Sequence, residues 1–247
     1  STIIGMFSKS TKIIGIFHGS ELVNNRKILG YLFKKSISKM NSCISVSNYT
    51  DSLIPIQYIN NSKRNVIPNG VRSSIKKEFS NNFEIKNSGY PCLLTVGSIT
   101  NRKGQINLIK SLPLIVKKYP NIHYHCIGLE IDSNELLLEV KKLKVEKYVS
   151  LYGFVSNDRL YNIYNQSDIL IMLSQNKGID SIEGYGIAVL EANIFGVPAI
   201  GSNNTGVEDS IIDGKTGILV DPYSDKQILS AINTILDNKS ILSKNAI

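Results

Sequence analysis

Cysteine is scarce, acidic side chains are outnumbered and apolar runs are short, and each shortage removes a class of protein. The three cysteines, Cys43, Cys92 and Cys126, are far apart and each sits in an apolar run. That pattern speaks against a disulfide framework or a zinc site and for buried free thiols in a reducing compartment. Strand-like apolar stretches such as Ile169 to Leu173 fall far short of the roughly 20 residues that a membrane-spanning helix needs. The first residues do not read as a secretory leader, so a cytoplasmic location is expected. Ser1 stands where a methionine would, and the chain is read as processed or as a fragment. Charged residues make up 19% and hydrophobic ones 42%, the balance of a globular chain rather than a disordered one. With 28 Lys and Arg against 20 Asp and Glu, the net charge is +8. This favours an anionic partner: nucleotide phosphates, a membrane surface or nucleic acid. Lysine clusters at 34–35, 76–77, 117–118 and 141–147 also read simply as solvated helix faces. Neither zinc-finger spacing nor an aromatic RNA-binding signature accompanies the charge, so nucleic acid is not expected.

What is present is an alternation of short apolar runs with helical periodicities. Strands are expected at Lys12–Phe17, Cys43–Val46 and Asn65–Pro68, with a helix over Arg26–Met40 and a short helix capped by Ser47 or Asn48 and cut off near Pro55. Residues 73–90 are polar and irregular and read as a linker. The alternation then restarts at Cys92–Val96 and runs through helices at 104–119, 133–144 and 156–166 to a last helix over Asp225–Leu236. Strands separated by helices of this length predict an α/β fold with mainly parallel, doubly wound sheets. Ligands in such sheets bind beyond the carboxyl ends of the strands, where His18, Gly97, Ser98, Gly128, Gly153–Val155 and Ser174 fall.

The densest chemistry lies in Glu183-Gly184-Tyr185-Gly186-Ile187-Ala188-Val189-Leu190-Glu191. Two glycines between two carboxylates permit close backbone approach to a ligand, and the N–H groups of the helix that follows suit a phosphate. Glu183 before the helix and Glu191 within it are spaced to reach different parts of one extended ligand; the plain alternative is a core helix with two solvated carboxylates. Val96-Gly97-Ser98-Ile99-Thr100-Asn101-Arg102-Lys103-Gly104 joins a strand to a helix and places two cations at the helix start, where the dipole does not favour them. An anion between them would account for both, as would a solvated basic turn. His18 reads either as a ligand contact beyond a strand end or as a structural histidine. His123 and His125 point to one face of a strand with no third ligand in view, and no metal site is expected. Glu208 reads as a first-turn residue of a short helix from about Val207.

The glutamate segment resembles the E-x7-E motif of retaining glycosyltransferases of the GT-B fold, glycosyltransferase family 4. The loop from Gly97 to Gly104, the segment Leu151–Val155 and the run Gly201–Gly217 with Asp221-Pro222 resemble the same family, and the likeness extends from about His18 to Leu236. It implies two Rossmann-like domains and a nucleotide-diphosphate-sugar donor whose sugar passes to a glycan or lipid-linked acceptor with retention of configuration. The positive charge adds an expectation of peripheral contact with an anionic membrane face. By the same resemblance, Glu183 faces the donor sugar, Glu191 the ribose, Val155 the nucleobase, and Tyr185, Gly186 and Ile187 the sugar and phosphates. Gly97, Ser98, Arg102 and Lys103 line the pyrophosphate, and His18 faces the sugar across the cleft. Many members carry arginine where Ser98 stands, and Arg102 is expected to supply that charge. Without an Asp-x-Asp pair, no bridging metal or other cofactor is implied. Residues 1–72 are expected to be part of an acceptor-side domain whose first half is missing, and 73–247 a donor-binding domain. The alternative is a non-catalytic nucleotide-sugar-binding or partner subunit.

Overall fold

Side chains that alternate along a strand face opposite sides of a sheet, and strands made of unbroken apolar runs need both faces covered. Both conditions are met in the computed structural model, which describes residues 12–23, 33, 35–72, 74–75, 85, 89–176 and 182–247. Most of the expected linker and of the expected helix over 26–40 lies outside these residues. In the larger part, β4 (Cys92–Val96), β5 (His123–Ile127), β6 (Val149–Leu151), β7 (Ile169–Met172), β8 (Ala199–Ser202) and β9 (Gly217–Val220) form a parallel sheet in the order β6-β5-β4-β7-β8-β9. Leu93, Ile169 and Ile171 point into one apolar cluster, with Leu108 and Leu112 of α2 (Gln105–Lys118), Leu136 of α3 (Ser133–Leu143) and Ile232 of α6 (Asp225–Asp237). Their neighbours Leu94, Leu170 and Met172 point into a second cluster, with Ile163 and Tyr164 of α4 (Asn157–Gln166) and Val189 of α5 (Ile187–Ile194). The chain runs outward from β4 to β6 and returns to β7 on the other side of β4. A crevice therefore opens between the ends of β4 and β7, the place where doubly wound sheets bind ligands.

The smaller part is a parallel sheet of β1 (Ile14–Phe17), β2 (Ser42–Ser45) and β3 (Arg64–Val66) in that order. Ser47 caps α1 (Asn48–Ser52), accepting from the Thr50 N–H at 2.8 Å. Helix α2 continues through Pro113, which has no N–H to donate to the preceding turn. Two sequence expectations change. The helix expected from Val207 is a five-residue 3-10 turn, Gly206–Ser210, where the Glu208 carboxylate accepts from the Asn204 N–H at 3.0 Å. A further helix, α7 (Lys239–Ala246), follows α6; only Leu242 is buried on it, too little apolar repeat to register as a period. Its Lys239 pairs with Asp168 at the foot of β7. Among the described residues no helix is long and apolar enough to cross a membrane.

Candidate functional site

The carboxyl ends of β4, β5 and β6 close on one another because glycines leave room. The Gly97 N–H donates to the Ile127 carbonyl at 2.8 Å, and the Gly128 N–H to the Gly153 carbonyl at 2.9 Å. A Cβ on Gly128 would sit 2.2 Å from the Gly97 carbonyl oxygen, so only glycine permits this approach. Beyond Gly97 and the half-buried Ser98, Thr100 caps a 3-10 turn, Asn101–Lys103, that turns Arg102 and Lys103 inward. Lys103 folds back over Gly97.

The anion between these two cations is Glu183, more than 75 residues further along the chain. Lys103 Nζ lies 2.7 Å from Glu183 Oε2, and Arg102 Nη1 bonds the same oxygen. Glu183 is only 9% exposed, and a carboxylate so placed requires such pairing. Its carbonyl accepts from the Gly206 N–H at 3.0 Å. Gly184 packs edge-on to the end of β1, and a Cβ there would meet the His18 carbonyl oxygen at 1.8 Å. Thr50 Oγ1 donates to the Gly184 carbonyl at 3.2 Å. The structure thus brings the backbone of His18 against the glutamate segment, while the His18 side chain is exposed.

Tyr185 is buried, and its hydroxyl is held above its ordinary pKa by burial, with Asp209 adding to the effect. Gly186, at φ 88°, precedes α5 without any side-chain cap, and Ile187, the first residue of the helix, is exposed. One turn on, Glu191 accepts from the Tyr164 hydroxyl at 2.8 Å. Burial raises its pKa, and the Tyr164 bond opposes that rise. Val155, at the end of the β6 loop, is buried in the same cluster as Tyr164 and Val189, next to a Phe154 that is 81% exposed.

Gly97, Arg102, Lys103 and Glu183 therefore meet at one point, with the His18 backbone against the adjoining Gly184. Glu191 and Val155 lie along the α4 and α5 side. Sequence reading missed the partner of each glutamate. It also missed the clasp in which Asp209 accepts from the Asn48 side chain and from the Tyr49 N–H. The rings of His123 and His125 lie tilted by 43° with centroids 4.7 Å apart, and they bond Ser150 and Tyr152 respectively. Among the described residues no group of three metal-ligating side chains forms. All three cysteines are buried and unpaired, and burial pushes Cys126 up to about 12.

The family model described as "Glycosyl transferases group 1" matches residues 76–247, well over half of the chain. The chain belongs to this family. Among its relatives, a GDP-mannose-dependent alpha-(1-6)-phosphatidylinositol monomannoside mannosyltransferase of Mycolicibacterium smegmatis is 27% identical over 147 residues, covering 59% of this chain and 38% of that protein. The capsular polysaccharide biosynthesis glycosyltransferase CapM of Staphylococcus aureus is 29% identical over 174 residues, covering 70% and 42%. The chain thus spans less than half the length of these curated relatives. Anabaena Alr3699/HepE, solved in complex with UDP-glucose, superposes with a TM-score of 0.77 at 16% identity, over 99% of this group 1 chain and 68% of that one. A glycosyltransferase from Rickettsia africae ESF-5 gives a TM-score of 0.74 at 22% identity, over 94% and 64%. The α/β architecture with parallel sheets is that of GT-B glycosyltransferases.

Proposed function

We propose that residues 73–247 bind a nucleotide-diphosphate-sugar and that, with residues 1–72 closing the cleft, the site transfers the sugar to a glycan or lipid-linked acceptor with retention of configuration. The observation that carries this reading is the convergence of Arg102 and Lys103 on Glu183 at the glycine-lined end of β4. Two cations and one carboxylate leave a net positive charge in a sheltered crevice. On donor binding the cations share themselves between Glu183 and the diphosphate oxygens, and Glu183 accepts from sugar hydroxyls. As the bond from the anomeric carbon to phosphate breaks, the same cations and the start of α5 stabilise the departing nucleoside diphosphate. The charge is assigned to protein groups rather than to a metal. Glu191 holds the ribose, and Val155 borders the base. The net charge of +8 suits peripheral contact with an anionic membrane that presents the acceptor.

Titration calorimetry with UDP-glucose and GDP-mannose tests this. Lys103→Glu should weaken binding of the preferred donor by about 1.5–3 kcal/mol, the value of a charge-assisted contact. Lys141→Glu, on the exposed end of α3, should leave it unchanged. Equal and small effects at both positions would refute the phosphate role.

A further inference from the structure

Helix α5 carries Glu191 and ends at Phe195, one turn apart on the same face. Both meet one side chain of α4. The Tyr164 ring stacks on Phe195 with centroids 5.8 Å apart and planes at 9°. Tyr161 stacks on the same Phe195 at 5.9 Å. Tyr164 is fully buried, and its hydroxyl donates to Glu191 Oε2 at 2.8 Å. An aromatic layer thus fixes the ring, and the fixed ring aims a single donor at one carboxylate oxygen. A phenol buried this deeply is held well above its ordinary pKa, chiefly by burial and then by the neighbouring Glu191 charge, so it remains a donor across the physiological range. With Oε2 engaged from the core side, the other carboxylate oxygen is the one left to turn outward.

We infer that Tyr164 is the positioning residue of the donor site: it locks the Glu191 carboxylate in the orientation that accepts from a ribose hydroxyl, and so sets the preference for ribonucleotides. The inference rests on the reading of Glu191 as the ribose contact. Tyr164 touches no ligand and acts through Glu191 alone. A hydrogen bond that favours the charged form keeps the carboxylate an acceptor and fixes the orientation in which it accepts.

The test measures the affinities of UDP and GDP together with their 2′- and 3′-deoxy counterparts. It compares the unaltered chain with Tyr164→Phe, Glu191→Gln, the double variant and Tyr119→Phe. The last also deletes a phenol hydrogen bond, to Asn233 at 2.7 Å, but at the far end of α2. Tyr164→Phe should reduce the preference for the ribonucleotide by about tenfold, the worth of one hydrogen bond to a charged group. Tyr119→Phe should leave that preference intact, whatever it does to stability. The double variant should discriminate no worse than Glu191→Gln alone, because two members of one linked pair are not additive. If the unaltered chain prefers ribonucleotides and Tyr164→Phe keeps the full preference, the positioning role is overturned and the donor site stands. If the unaltered chain binds no nucleotide, or shows no preference for ribose, the reading of Glu191 falls and the inference falls with it.

Discussion

In the six-stranded sheet both faces are packed, Leu93 and Ile171 against α2 and α6, Leu94 and Met172 against α4 and α5. In the three-stranded sheet one small cluster, centred on Phe17, Ile37, Met40 and Cys43, lies against the strands, while Ile14 and Ile16 of β1 are 61% and 59% exposed. The larger part has the buried area to hold its own shape. The smaller part is held in place by what it touches. Ser20 exchanges hydrogen bonds with Ile182, Thr50 bonds Gly184, and Asn48 and Tyr49 bond Asp209. All these contacts reach the glutamate segment or the 3-10 turn beside it. Among the described residues, shape therefore resides mainly in one region, and the other docks onto the glutamate segment and the turn beside it.

The comparison breaks most sharply in the core. Leu94→Ala, at a fully buried position of β4, should lower stability in urea by about 2–5 kcal/mol and abolish nucleotide binding as the six-stranded sheet fails. Met40→Ala, in the small cluster, should cost less and spare binding of a free nucleoside diphosphate, since the groups proposed to hold it lie elsewhere. Equal losses would mean that the two regions share a single stability.

Contact between the regions comes next. Gly184→Ala places a methyl 1.8 Å from the His18 carbonyl oxygen, and backbone does not yield as a flexible side chain does. The end of β1 should be displaced, at a cost of about 1–3 kcal/mol, with faster amide exchange at residues 18–22 and 48–52. Gly70→Ala, with nothing within 4 Å, should change neither. Unaltered exchange in Gly184→Ala would contradict the docking described.

An effect of pH belongs to the larger region alone. Burial, with His123 beside it, holds His125 at about 3 against an ordinary 6.5. Between these values the unfolded chain binds a proton that the folded chain refuses, so stability rises with pH. The contribution is complete above the unfolded value and is lost as pH falls toward 3, by at most about 1.4 kcal/mol per pH unit. Urea midpoints between pH 4 and 7 should show a shallower slope for His125→Gln than for the unaltered chain; identical slopes would mean that His125 is accessible to protons in the fold.

Much of this was legible from local pattern. Apolar runs bounded by glycine marked β4 at Cys92–Val96, and Ser47 and Ser156 announced the helices they cap. The basic loop and the glutamate segment were each visible as a local constellation. Their pairing was not, because Lys103 and Glu183 meet only after the chain crosses from β4 out to β6 and back to β7. Tyr164 lies in the expected helix over 156–166, but spacing reports which face is buried and not which atom the hydroxyl meets. The clasp at Asp209 was hidden for the same reason: nothing local to a carboxylate in a short turn says that α1 will dock on it.

The two glutamates are proposed to divide one donor between them, and two substitutions measured against two ligands test that division. Calorimetric affinities for a nucleotide-diphosphate-sugar and for the matching free nucleoside diphosphate should both fall in Glu191→Gln. Only the sugar-bearing ligand should weaken in Glu183→Gln, whereas the free diphosphate should bind no more weakly, because Arg102 and Lys103 lose the carboxylate that competes for them. If Glu183→Gln weakens the free diphosphate as much as Glu191→Gln does, the division is contradicted.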